Sequence, residues 1–438
     1  MEIKFAIDKR KIFRILVCAV TPFAYAVNPY LLLVMVFLQL GLFCTGKDFD
    51  DDFCIMFLLA NLYPSISLGG FKVYDLIIVL MFIALMLRIR GHLFIKPEGV
   101  IYFFIVLFIG LYHGESREVT EVLRYFISMV MCFMLISMQP SLERLKDRIT
   151  EIIICNLYNA IVVYALLTRG VLGNYLSSAY SVNLYEYSNE IRLNGFFSDP
   201  NKYMTFCFTL ILLIELFWEN EKRKTLAITL LCVSSVISRS RTSILIVFVY
   251  LFIKLLIWLY QSDKKAFLIV LSAFVVVALA LTANMSFVEK VANDFFVWSA
   301  RALGRTRTLE INQNITQDNR IVIWRKAMNL IKEHPIAGYG WAANEVLLPY
   351  PTHNTVLSLM LDGGIVAVIS YVFVMKDLIF NSKWALIIPL IVIPLLTLDM
   401  GSYRLYFFAL GLIWRYPDAV RSQSSYRLSG RLDEEVWN

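Results

Sequence analysis

Only four histidines occur in this chain, and one stands in the stretch Tyr350 to Gly364, YPTHNTVLSLMLDGG, where a polar segment gives way to an apolar run lasting to about Met375. Thr352 has the side chain of an N-cap, which predicts His353 and Asn354 in the first turn of a helix. A helix start offers free N–H groups and partial positive charge, a natural seat for a diphosphate. The same field favours the neutral imidazole, so His353 is expected to act as a general base near pH 7. Its plainer use is to close an interfacial loop. His334 competes for the catalytic role, but it is expected in the last turn of another helix, just before Pro335, where a cation complements the dipole. His92 and His113 carry no motif.

The arginines come next. SRSRTS (238–243) packs Arg239 and Arg241 into a tight connection between two apolar runs, and charge at such a boundary usually has a partner. Arg192 precedes SDPN, where Asp199 is the expected N-cap and Pro200 the first helical residue. Arg320 is expected at the start of a helix, where positive charge opposes the macrodipole. Planar guanidinium groups suit phosphate oxygens. The candidate substrate-binding set is therefore Arg192, Arg239, Arg241, Arg320 and Asn354, with His353 as the catalytic base. KDFDDDF (47–53) contains a DxD-like pair, Asp48 and Asp50, but it falls on the side expected to face the cytoplasm, so no metal site and no cofactor are expected.

These residues must be held by membrane helices. Of 438 residues 59% are hydrophobic and only 17% charged, more apolar surface than a water-soluble protein of this size could bury. The expected fold is an all-α polytopic membrane protein of about 12–14 transmembrane helices, with no nucleic-acid partner. Apolar runs fall at about 12–27, 29–45, 53–68, 73–90, 98–113, 118–138, 150–168, 201–218, 225–238, 242–260, 266–283, 353–375, 384–398 and 403–415. The first, KRKIFRILVCAVTPFAYA, reads as a membrane anchor rather than a cleaved signal. The organisation expected is a multi-span region at 1–283, a large outer loop at 284–352, further spans at 353–416 and a cytoplasmic tail at 417–438. Inside the loop, DNRIVIWRKAMNLIKEHP predicts an amphipathic helix with Trp324, Ala327, Met328 and Ile331 on one stripe. Gly363 and Ala367 form a small-residue pair suited to helix packing. The seven cysteines form no CxxC pair, which argues against disulfides and zinc.

Basic loops recur on one side, which sets the cytoplasmic face. The outer loops and their helix ends then hold 12 Arg and 4 Lys, against 11 of each inside, with Lys47, Lys72 and Lys254 unplaced. That surplus of arginine on the outer face points to an anionic ligand there.

RLNGFFSDPN, SRSRTS, NRIVIWRKAMNLIKEHPIAGYG and HNTVLSLMLDGGIVAVI, in this order over about 190–375, resemble the O-antigen ligase and polymerase superfamily of bacterial envelope enzymes. The resemblance implies a metal-independent, inverting glycosyltransferase in the bacterial inner membrane with its active site facing the periplasm. His353 would activate the acceptor hydroxyl, and Arg239 or Arg241 with Arg320 would hold the diphosphate of an undecaprenyl-linked oligosaccharide. Expected partners are that lipid-linked glycan, membrane lipid and a chain-length regulator. Ligases of the family carry Gly, Thr or Tyr three positions after the Gly that follows His-Asn. Here Gly364 is followed by Ala367, which tilts the reading towards polymerase over ligase. A transporter or flippase of lipid-linked sugars is the alternative from a different class; few buried charges, chiefly Lys254, and no internal repeats weigh against it.

Overall fold

The computed structural model describes residues 9–43, 48–64, 66–68, 71–88, 93–113, 118–169, 171, 193–197, 199–218, 221–283, 294, 297–298, 319–381 and 383–418. In chain order the helices are α1 (Lys9–Val27), α2 (Pro29–Phe43), α3 (Phe49–Ala60), α4 (Val73–Arg88), α5 (Pro97–His113), α6 (Glu118–Ser137), α7 (Leu142–Thr168), α8 (Pro200–Phe217), α9 (Glu221–Ile237), α10 (Arg241–Ser262), α11 (Lys264–Ala283), α12 (Asn319–Glu333), α13 (Ala343–Val346), α14 (Thr355–Ile379), α15 (Trp384–Thr397) and α16 (Arg404–Arg415). A two-residue pairing of Ser67–Leu68 with Phe71–Lys72 is the extended structure among the described residues. The protein is an all-α polytopic membrane protein.

Every apolar run read from the sequence coincides with a helix, but not all are full-length. Among the described residues, five helical segments are long and apolar enough to cross a membrane: Val119–Ser137, Leu142–Thr168, Pro200–Phe217, Arg241–Ser262 and Thr355–Ile379. The expected run at 53–68 is helical only to Ala60, because Asn61 turns its side chain back onto the Phe57 carbonyl at 2.8 Å and Pro64 follows. Helices of 12–17 residues, such as α3, α5 and α16, cover only about 18–26 Å at roughly 1.5 Å per residue. Of the expected outer loop, 319–352 is described and holds α12 and α13; Asp294, Val297 and Trp298 apart, the rest of 284–318 lies outside the described residues. Beyond Asp418 the expected tail also lies outside them.

The helices group into two compact units, each assembled from separated stretches. The first takes Met1–Lys96, Phe126–Ser238 and Arg404–Asn438. Its central helix is α8. Asp199 caps it by accepting the Asn201 N–H at 2.7 Å, and Pro200 occupies the first turn, as the sequence indicates. From Tyr203 to Phe217 every side chain is buried, as expected of a helix apolar all round. Buried charge in this unit is paired: Arg14 with Glu151, Lys224 with Glu215, and Arg404 with Asp75, at 2.8–3.0 Å. This corrects the sequence expectation of few buried charges. Lys254, in the second unit, is only half-buried, over the Tyr250 ring. The DxD-like run also has an ionic use, since Arg144 binds Asp48 and Asp51 while Arg88 binds Asp50.

The second unit takes Pro97–Tyr125 and Arg239–Tyr403 and is built around α14. Against α14 pack α5, α12, α13 and α15, and α10 lies along α15. The exposed side of α10 presents Leu245, Phe248, Leu251, Leu255 and Trp258, a surface suited to hydrocarbon. α12 is amphipathic as expected, yet its buried stripe is Ile323, Ala327 and Ile331, packed with Ala343, Leu348 and Leu361. Met328 is 46% exposed, a correction to the expected stripe. The four-residue spacing 323–327–331 defines the contact face, and Met328 lies about 100° round from Ala327.

α14 is not continuous. Gly363 and Gly364 leave helical geometry, Gly364 with φ 62° and ψ −159°. The segment Pro335–Gly340 fills the break. Tyr339 and Gly340 donate their N–H groups to the carbonyls of Leu361 and Asp362 at 2.7 and 2.8 Å, and the carbonyls of Pro335 and Ile336 accept from Ile365 and Val366 at 2.9 and 3.4 Å. Backbone groups freed by the break therefore find partners in the inserted segment, the condition for breaking a membrane helix. A Cβ on Gly364 would lie 2.2 Å from the Ile336 oxygen, and one on Gly338 2.6 Å from the Asp362 carbonyl. Gly363 meets Ile109 of α5 and Ala367, the close packing its pairing with Ala367 suggests.

Candidate functional site

Helix α14 begins two residues later than its sequence indicates. Asn354 is the N-cap: it takes extended backbone and its Oδ1 accepts the Leu357 N–H at 3.1 Å. Thr352, the expected cap, instead donates its hydroxyl to the Asn354 carbonyl at 3.1 Å. His353 therefore sits just before the helix, not in its first turn. Its backbone is left-handed, φ 48°. Thr352 and Asn354 on either side are buried, while His353 is half-buried. The imidazole is thus carried on a strained residue clamped by two fixed neighbours, at a helix start.

Strain of this kind is confined to few places. Among the described residues the non-glycine residues at positive φ are Arg239, Ala342 and His353. All three belong to the second unit, and two are residues chosen from the sequence for their chemistry. Each such position costs of order 1–3 kcal/mol and persists where the surroundings over-determine it. At Ala342 the surroundings are the turn into α13, which presents Asn344.

Asn344 organises the site. Its Oδ1 accepts the Thr352 N–H at 2.9 Å, its backbone N–H donates to Asp362 at 3.3 Å, and its Nδ2 donates to Asp399 at 3.1 Å. Asp399 also accepts the Ser358 hydroxyl at 3.1 Å. The Thr355 hydroxyl donates to the Leu398 carbonyl and accepts the Met400 N–H, both at 2.8 Å. The start of α14 is thereby locked to the corner 398–400. Burial pushes the Asp399 carboxyl above the usual carboxylate range; the hydrogen bonds from Ser358, Asn344 and the Gly401 N–H oppose this.

Arg320 reaches the same corner. As expected it is at the start of α12, where its charge opposes that helix's own dipole. Its Nη1 lies 3.4 Å from the Thr397 carbonyl at the C-terminal end of α15, where a cation is favourable. Trp324, one turn on, donates its indole N–H to the Thr352 carbonyl at 2.7 Å, fixing α12 to the residue before His353. The structure therefore gathers Arg320, His353 and Asn354 around the α14 start and the 397–400 corner.

Arg239 and Arg241 open α10, which packs along α15. Both are half-buried, and Ser240 between them is buried at the N-cap position. Arg192 lies outside the described residues. His334 sits one residue past the end of α12, exposed, its ring edge-on to Tyr339 at 4.5 Å. No group of metal-ligating side chains occurs among the described residues.

Asp362, Asp399, Asn344 and Ser358 escaped the sequence reading. The signal was present: SLMLDGG and LLTLDMG each set a carboxylate inside an apolar run, where ionisable groups are costly and usually have a task.

No curated protein matches the chain. Residues 225–372 are similar to the family model described as O-antigen ligase (Wzy_C), a stretch that contains Arg239, Arg241, Arg320, His353 and Asn354.

Proposed function

We propose that the protein is a metal-independent, inverting glycosyltransferase of the bacterial inner membrane, polymerising undecaprenyl-diphosphate-linked repeat units of O-antigen or a related capsule or exopolysaccharide at the periplasmic face. The observation that carries the reading is His353 itself, left-handed and clamped between buried Thr352 and Asn354 at the start of α14. A strained, well-supported histidine at a helix terminus suits a base that must be held for proton transfer. The acceptor sugar hydroxyl loses its proton to the His353 imidazole as its oxygen bonds to the donor's anomeric carbon. The bond from that carbon to the diphosphate oxygen breaks, with inversion, and undecaprenyl diphosphate leaves. Its growing charge is met by Arg320, by Arg239 or Arg241, and by the N–H groups at the α14 start. Arg192 and Asn354 complete the substrate-binding set, and a chain-length regulator is the further partner this reading expects.

A second reading, ligation of the finished glycan to lipid A-core, draws support from the ligase description of the matched family model. Ala367, the residue that tilts the motif towards polymerase, is buried against Gly363 and has a packing use of its own. Lipopolysaccharide banding of a deletion strain separates the two: a single repeat on the core marks a lost polymerase, and bare core with free lipid-linked polymer a lost ligase. The same assay tests the base. His353→Ala should abolish transfer at unchanged protein level, since removing a general base costs about 10²–10⁴-fold in rate. His334→Ala should stay active. The reverse pattern would move the catalytic role to His334, and activity in both would bring the transporter reading forward.

A further inference from the structure

The first unit contains a cavity of about 940 Å³ that the transfer reaction does not use. It opens among α1, α3, α7 and α9, with Trp218 at the end of α8, and its volume is that of a small-molecule site. Its polar wall carries five basic groups and four carboxylates, Asp51, Asp52, Asp147 and Glu151. Arg14 and Arg148 are held by Glu151, and Arg144 by Asp51. Lys11 and Arg223 also line it, both exposed, and Lys11 makes no ion pair among the described residues. The other wall is apolar and continues outward: Ile154, Leu226 and Leu230 are 53, 62 and 43% exposed. Trp218 forms part of the lining.

Two exposed cations beside a hydrocarbon-compatible wall describe one chemistry. We propose that this cavity binds a phosphate-headed lipid. The phosphate lies against Lys11 and Arg223, and the hydrocarbon runs along Ile154, Leu226 and Leu230. Both a diacyl phospholipid of the bilayer and a polyprenyl phosphate have this chemistry.

The full-length protein in neutral detergent micelles would be titrated with dioleoyl phosphatidylglycerol, undecaprenyl phosphate, dioleoyl phosphatidylcholine and inorganic phosphate, with occupancy read by native mass spectrometry. At least one of the two anionic lipids should bind more tightly than the phosphatidylcholine, and the tighter of them in direct competition identifies the source. Inorganic phosphate should bind far more weakly, lacking the chain. Lys11→Gln and Arg223→Gln should each weaken the anionic lipid by about fivefold, and by roughly 25-fold together, from the usual attraction per basic residue near a lipid headgroup. Arg10→Gln, outside the cavity lining, should leave it unchanged. Both cavity cations are exposed, so their loss leaves the core intact. Equal binding of anionic and zwitterionic lipid, or an affinity unchanged in Lys11→Gln/Arg223→Gln, would overturn the proposal.

Discussion

Gly364→Ala tests whether the break in α14 is required. With φ 62° and ψ −159°, Gly364 occupies a region essentially closed to other residues, at a cost of order 1–3 kcal/mol. The new Cβ would lie 2.2 Å from the Ile336 oxygen, 2.3 Å from its carbon and 2.7 Å from the Ala337 nitrogen, all backbone atoms that cannot swing aside like a side chain. Relief requires expelling the 335–340 segment. That forfeits its four backbone hydrogen bonds to α14, worth about 1 kcal/mol each, or about 4 kcal/mol together. A loss of about 5–7 kcal/mol is a large share of a typical folding free energy of about 5–15 kcal/mol. It would also release Trp341 and Asn344, which follow directly and connect to Val106, Asp362 and Asp399. Thermal unfolding in detergent, limited proteolysis near 335–340 and lipopolysaccharide banding would be read together. Expected are a lower Tm, faster cleavage at the segment and loss of polymer. Gly338→Ala, at φ 65° and with a Cβ 2.6 Å from the Asp362 carbonyl, should behave alike. Gly41→Ala, with nothing within 4 Å of its Cβ, should be harmless. A Gly364→Ala protein with wild-type Tm, proteolysis and banding would refute the reasoning.

Asn354→Ala should destabilise by about 0.5–2 kcal/mol through loss of the cap, while Asn354→Asp, which keeps an acceptor for the Leu357 N–H, should restore Tm; an alanine variant as stable as wild type would remove the cap assignment. Arg320→Lys should reduce polymer in cells nearly as far as Arg320→Ala, because a point charge does not replace a planar fork; normal polymer in the lysine variant would show that positive charge alone suffices. Purified enzyme should keep its activity in EDTA, since arginines and a helix start supply the positive charge; activity lost in EDTA and regained with magnesium would reopen the acidic residues Asp48 and Asp50, whose carboxylates are engaged by Arg144 and Arg88.

Much of this protein is legible along the chain because a bilayer imposes rules that act locally. A backbone in hydrocarbon must satisfy its own hydrogen bonds, so each apolar run became a helix, and Asp199–Pro200 marked the start of α8 because capping involves only neighbouring residues. The motif order SRSRTS, NRIVIW and HNTV was likewise visible in the sequence, and it pointed to His353, Arg239 and Arg320 by residue type alone. What one dimension could not show were the contacts between distant segments. Thr352 and Asn354 both have capping side chains, and the choice of Asn354 followed from Thr352 being tied to Asn344 and Trp324. Gly363, paired with Ala367, reads as a packing motif until Pro335–Gly340 is seen bonded into the break it makes with Gly364. Asp399 lies 41 residues from Ser358 and 55 from Asn344, so their shared hydrogen bonds exist only after three helices have packed. Helix formation is governed by neighbours a turn away, whereas the clamp around His353 depends on non-local burial, which only the tertiary structure decides.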